Sequence, residues 1–217
     1  AGNSVLLIEA GGSADYFWIR TPAGMGQMFR EPDYNWNYFT EPVPGAKGRT
    51  VFWPRGKTMG GSSAVNGMVY MRGHPLDFDG WEKLGADGWG WEDVLPYFLK
   101  SESNTRGAST FHNGAGMMRV SDPILRHPTI EDYVRSAGRA GYPRVDDLNA
   151  PPYEGADYHQ HTIREGRRET SYNAFIEPVR HRPNLKVMER MQVLRVVVEN
   201  GEATGVEVLH QGQKRVI

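Results

Sequence analysis

Apolar residues in this chain fall into short runs of two different periods, separated by polar, glycine-rich stretches. Val5-Leu6-Leu7-Ile8 is an unbroken apolar run closed by Glu9 and Ala10-Gly11-Gly12. Such a run predicts a short strand buried on both faces of a parallel sheet. Within residues 91–102 the period changes, because Val94, Leu95, Phe98 and Leu99 recur at helical spacing. A helix that buries one face follows from that spacing. Further helices are predicted over 75–85 and 129–140, the latter stopped by Gly141 and Pro143, and another starts within 170–175. Residues 157–164 read as a strand, and 103–122, polar and glycine-rich, as a surface loop. Near the end, residues 192–199, 203–210 and 214–217 read as an antiparallel meander whose first turn is Asn200-Gly201, a strong hairpin signal. The aromatic clusters at 36–39 and 51–53 are read as packing.

Between these elements, residues 55–73 form the stretch that points most directly to chemistry. Gly60 and Gly61 let backbone approach a ligand closely, Ser62 and Ser63 can cap the turn that follows, and amides there would attract a phosphate. Asn66 adds a side chain that both donates and accepts hydrogen bonds. Gly-Gly-Ser-Ser is equally what an ordinary loop contains, so those four residues alone leave both readings open. Glu9 has a similar ambiguity. In dinucleotide-binding folds a carboxylate about twenty residues beyond a glycine-rich turn accepts hydrogen bonds from the adenosine ribose, yet an acid can also simply end a core strand.

Composition narrows the field. With 39% hydrophobic and 24% charged residues and a formal net charge of −1, nothing suggests nucleic acid as a partner. Arg164, Arg167 and Arg168 cluster, but Glu165, Gly166 and Glu169 interrupt them, and a polar hairpin turn explains the group. No apolar run approaches the roughly twenty residues that span a bilayer. The absence of cysteine excludes disulfides and thiolate metal sites and leaves the compartment unassigned, with the cytoplasm favoured. His159 and His161 share a face of the predicted strand without a third ligand, so no metal site is assigned. His74, His112, His127, His181 and His210 are expected to be solvated.

The wider register decides between the open readings. Gly56-Lys57-Thr58-Met59-Gly60-Gly61-Ser62-Ser63-Ala64-Val65-Asn66, followed by Tyr70, Gly73 and Asp79, closely resembles the first signature of the glucose-methanol-choline (GMC) oxidoreductases, which are flavoenzymes. Asp77-Phe78-Asp79-Gly80-Trp81 and residues 88–98 resemble the segment that follows it in that family. The resemblance implies an α/β fold: part of an FAD-binding, Rossmann-like domain with inserted α+β substrate-domain segments and an antiparallel β-meander. Residues 1–70 and 183–217 would belong to the FAD-binding domain, and 71–182 to the inserted segments.

It also implies the site. Glu9 and Ala10 would meet the adenosine ribose, Met59, Gly60, Gly61 and Ser62 the pyrophosphate, Asn66, Gly67, Met68 and Val69 the isoalloxazine side, and the main chain of Val193 the adenine. Family members that attach FAD covalently do so through a histidine two residues before the signature arginine. Here Trp53 stands at that position, so noncovalent FAD is expected. Activity on an alcohol, by hydride transfer to the flavin, is the implied function. A flavin-containing hydroxynitrile lyase of the same fold and an inactive or nicked fragment are the alternatives. No catalytic residue is assigned, since the family's catalytic histidine and its G-x-G-x-x-G turn correspond to segments outside these residues. The remaining pieces of the same polypeptide are accordingly expected as partners, beside a small alcohol substrate.

Overall fold

In the computed structural model, which describes residues 2–217, the Val5–Ile8 run is a strand paired in parallel with Leu185–Met188. The pairing continues past the strand ends, where the Glu9 amide donates to Met188 O at 2.9 Å and the Met191 amide to Glu9 O at 2.9 Å. Only part of the apolar run is covered. Leu7 packs against a core of Ile19, Met28, Met59, Ala64 and Val65, whereas Val5 and Leu6 are 49% and 44% exposed. This corrects the expectation of a strand buried on both faces. The period of a run says that a strand forms, but its neighbours decide how many faces they cover.

Residues up to Gly67 and Gly166–Ile217 make one compact unit, and Met68–Glu165 the other. In the first unit the meander forms as its sequence predicts, from Gln192–Glu199, Glu202–His210 and Gln213–Val216. Asn200 and Gly201 both take positive φ, 52° and 84°, as a tight two-residue hairpin requires. Val208 is fully buried in its middle strand. The helix expected to start within 170–175 does start there, as a π-helical turn over Tyr172–Ile176 followed by a 3₁₀ turn.

The second unit carries the three predicted helices, Pro75–Lys83, Trp91–Ser101 and Pro128–Arg139. Phe78 meets Trp91 and Phe98, with ring centroids 5.6 and 5.8 Å apart, and Asp79 Oδ1 accepts from the Trp91 amide at 3.0 Å. His74 begins the first helix: its Nδ1 accepts from the Leu76 amide, and Asp77 Oδ2 accepts from the His74 amide at 3.0 Å. His127 caps Pro128–Arg139 in the same way, through Nδ1 and the Thr129 amide. Removing the Asp77 carboxylate takes away one half of the reciprocal cap. Asp77→Ala in the full-length protein is expected to cost about 1 kcal/mol, checked by urea denaturation.

Residues 103–122 are surface loop only in part. Glu102–Asn104 pairs in parallel with Met118–Val120, and Glu102, Ser103, Asn104 and His112 are buried. The predicted strand over 157–164 is two short pieces, Gln160–His161 and Ile163–Arg164, of which the first pairs with Val69–Tyr70.

Candidate functional site

At the carboxyl end of the Val5–Ile8 strand, the first unit contains a cavity of ≈ 420 Å³. Leu7, Ile8, Phe175 and Ile176 supply its apolar lining, and Glu9 with Gly60-Gly61 its polar side. That size falls within the roughly 300–1,000 Å³ of small-molecule sites. The cavity exists because two glycines hold a distant loop against the strand end. Gly12 O accepts from the Met59 amide at 3.0 Å and from the fully buried Thr58 Oγ1 at 2.9 Å. A Cβ on Gly11 would stand 1.8 Å from Lys57 O, so only glycine allows this approach.

Gly60 and Gly61 take φ of 91° and 53°, and a Cβ on Gly61 would meet no atom within 4 Å. The turn therefore has an open side. Its hydrogen bonding differs from the reading of its sequence. Gly61–Ala64 is a single 3₁₀ turn with Gly60 at its N-cap and no side-chain cap. The Gly61 amide donates to Thr58 O at 2.8 Å and the Ser63 amide to Gly60 O at 3.2 Å, so two amides close the turn on itself. Ser62 Oγ accepts from the Gly56 amide, while Ser63 Oγ accepts from the Ser171 amide at 2.9 Å and donates to Gly60 O. The serines brace the turn from behind, against the segment that leads into Tyr172–Ile176.

That π turn contributes Tyr172, Phe175 and Ile176 to the cavity, with Ser171 just before it. None of these four is a candidate in the sequence reading. Their spacing at i, i+3 and i+4 is a signal of a shared face, but not of which partner it meets. Glu9 Oε1 accepts from the Gly11 amide at 2.8 Å. Burial pushes its carboxyl above the ordinary glutamate value, opposed by the amides of Gly11 and Ala10. Hydroxyl donors from a ligand would join those amides in holding it ionised.

The cavity thus brings together Glu9, Met59, Gly60 and Gly61. Ala10, Ser62, Asn66, Gly67 and Val193 do not line it. Asn66 is instead held by Arg168, whose Nη1 donates to Asn66 O at 2.6 Å and Oδ1 at 2.9 Å. Val193 is 43% exposed, opposite Val208 and beside a break in register before Arg195. In the second unit, Met68 is buried with φ of 61°, its carbonyl accepting from the Thr162 amide at 2.8 Å, and Val69 pairs with His161. A left-handed, buried, non-glycine residue is a strained one, and such strain concentrates at functional positions.

A buried charge cluster occupies the second unit. His112, 5% exposed, faces Glu102 Oε1 through Nδ1 at 2.8 Å and Asp147 Oδ2 through Nε2 at 2.5 Å. Arg72 Nη2 reaches the other Glu102 oxygen at 2.5 Å, and its Nη1 donates to Phe111 O at 2.6 Å. Hydrogen bonds to Asp147 and then Glu102 push the imidazole up to about 9, so it is a cation at neutral pH. Asp147 lies below the ordinary value: burial opposes this, and His112 with the Asn149 amide overcomes it. The expectation that His112 is solvated is therefore corrected. Arg168, on the short strand Arg167–Arg168 just past the positive-φ turn Glu165-Gly166 that the sequence predicts, is likewise only 3% exposed. The rings of His159 and His161 lie 4.8 Å apart, and no group of three metal-ligating side chains exists among the described residues. No helix among them is long and apolar enough to cross a membrane.

A ligand-sized cavity outside the carboxyl end of a parallel strand pair, with an acid at the strand end, is where dinucleotide-binding folds hold their ligand. The chain belongs to the GMC oxidoreductase family, whose model matches residues 5–217. It is 39% identical over 217 residues to mitochondrial choline dehydrogenase of Mus musculus, covering 97% of this chain and 36% of that protein. It is 40% identical over 215 residues to oxygen-dependent choline dehydrogenase of Rhizobium etli, covering 99% of this chain and 39% of the relative. The chain therefore spans well under half the length of these relatives. Among solved structures, pyridoxine 4-oxidase from Mesorbium loti superposes with a TM-score of 0.93 at 32% identity, covering all of this chain and 43% of that one. An FAD-dependent oxidoreductase from Chaetomium thermophilum matches with a TM-score of 0.88 at 27% identity, covering 99% and 39%. The family and this FAD-dependent neighbour support FAD as the cofactor.

Proposed function

We propose that this chain supplies part of the FAD site of an enzyme that oxidises an alcohol. The observation that carries the reading is the convergence of Glu9, Met59, Gly60 and Gly61 on one cavity, although Met59 comes fifty positions after Glu9. Glu9 would hold the adenosine ribose, with Ala10 beside it, and the Gly60-Gly61 turn, with Met59 and Ser62, the pyrophosphate. The open side of Gly61 fits an approaching phosphate, and the apolar lining fits the flat face of a nucleoside. By the family resemblance, Asn66, Gly67, Met68 and Val69 border the isoalloxazine and the Val193 main chain meets the adenine. When bound, FAD would supply the hydride acceptor for oxidation of the alcohol carbon, and these residues would bind and orient it.

Trp53 lies 48% exposed on the Phe52–Trp53 strand with the Arg55 guanidinium over its ring. Its indole offers only an N–H donor, so the cofactor is held noncovalently. The full-length protein is expected to purify yellow, with all flavin released to the supernatant on acid precipitation. A colourless protein that FAD does not reconstitute would sink the reading, and flavin retained in the pellet would sink the noncovalent part. Choline is the first alcohol to assay, since the relatives are named for it. Anaerobic bleaching of the flavin by choline or another alcohol supports oxidation, whereas turnover with the flavin still oxidised points to a lyase.

A further inference from the structure

Arg168 has the wrong surroundings for a structural ion pair. Each hydrogen bond it donates goes to a neutral oxygen: Nε to Ile19 O at 2.9 Å, and Nη1 to Asn66 O, Asn66 Oδ1 and, at 3.4 Å, Ser63 O. Nη2 is buried without a hydrogen-bond partner among the described residues. Burial alone lowers the guanidinium to about 10, which leaves it charged at neutral pH. A buried cation balanced only by neutral dipoles is costly, and buried charges are ordinarily paired.

Its position gives that cost a use. Ser63 and Asn66 belong to the stretch that begins at the Gly60-Gly61 turn, and Ser63 is itself tied to Gly60 O. The same guanidinium therefore fixes the far end of the loop whose near end lines the cavity. A guanidinium has more donors than any neutral side chain and so braces several oxygens at once, but its charge remains to be balanced. An arriving anion would balance it, and FAD carries a pyrophosphate and takes up further negative charge on reduction.

We infer that Arg168 is a positioning residue for FAD, which holds Asn66 and the Gly60–Asn66 stretch in place and whose unpaired charge the bound cofactor compensates. The inference rests on the FAD reading above. It makes Arg168 responsible for part of the cofactor's affinity and for a more positive flavin potential, because a nearby cation stabilises the reduced form.

The test uses the full-length protein with Arg168→Met and Arg168→Lys, titrating each apoprotein with FAD and measuring each flavin midpoint potential. Arg168→Met is expected to weaken FAD binding by about 10- to 100-fold, the effect of losing hydrogen bonds from a charged group, and to lower the potential. Arg168→Lys keeps the charge and loses the fork. It is expected to restore the potential toward the parent while leaving affinity between the two. Parental affinity and potential in Arg168→Met would overturn the inference and leave Arg168 a structural brace. Should the methionine variant not fold, the lysine variant decides: a lowered potential despite the retained charge overturns it. A parent protein that takes up no FAD overturns the functional reading itself, an outcome separate from these.

Discussion

Replacing His112 with leucine in the full-length protein is expected to cost about 3–5 kcal/mol of stability, the penalty for leaving a buried charge without its partner. The imidazolium lies between Glu102 and Asp147, at 2.8 and 2.5 Å, and leucine offers neither carboxylate a donor. Glu102 is fully buried and, among the described residues, its carboxylate keeps only Arg72 and the Asn104 side chain. Urea denaturation reads the loss directly. A destabilisation under 1 kcal/mol would show that the carboxylates find water or move apart at little cost.

The same cluster predicts a pH dependence. The His112 pKa is raised on folding, from 6.5 to about 9, so its stabilisation is fully present below pH 6.5 and is lost as pH rises through about 9. The contribution at neutral pH is on the order of 3 kcal/mol. His112→Gln, which keeps hydrogen-bonding capacity without a titratable group, is expected to flatten the fall in stability between pH 7 and 9. An unchanged slope in that variant would assign the fall to other groups.

Gly11→Ala is expected to be the most damaging single methyl in the first unit, costing about 3 kcal/mol or more and weakening FAD binding at least tenfold. The added Cβ would meet Lys57 O at 1.8 Å and Lys57 C at 2.2 Å. Those are backbone atoms, so no rotamer change relieves the clash. The Lys57–Met59 segment must move off Gly11-Gly12, taking Gly60 and Gly61 away from Glu9. Gly26→Ala is the internal control, because its Cβ meets nothing within 4 Å and its backbone is helical. Equal stability and FAD affinity in the two variants would show that the contact at Gly11 does not position the site.

The helices at Pro75–Lys83 and Trp91–Ser101 and the meander are legible in the sequence, since helical period, caps and the Asn200-Gly201 turn act within a few residues. Family membership is legible for a related reason: its signature is contiguous, and close backbone approach constrains the residues of one loop. The buried cluster is not legible. His112 lies in a polar, glycine-rich stretch, Glu102 ends a predicted helix and Asp147 is 35 residues further on, and composition reads the same whether such groups meet water or each other. The burial of Arg168 is hidden for that reason too, because its neighbours in sequence are charged while its partners, Ile19, Ser63 and Asn66, lie more than 100 residues away.

By itself the sequence determines the three helices, the meander, the family and the loop that carries Gly60 and Gly61. Only the tertiary structure decides that Gly11-Gly12 grips that loop, that Tyr172–Ile176 completes the cavity, and that Arg168 and His112 keep their charges inside. The division has a physical cause. Turn geometry and periodic burial depend on adjacent residues, whereas the pairing of a buried charge and the closure of a cavity depend on which distant segments the fold brings within a few ångströms.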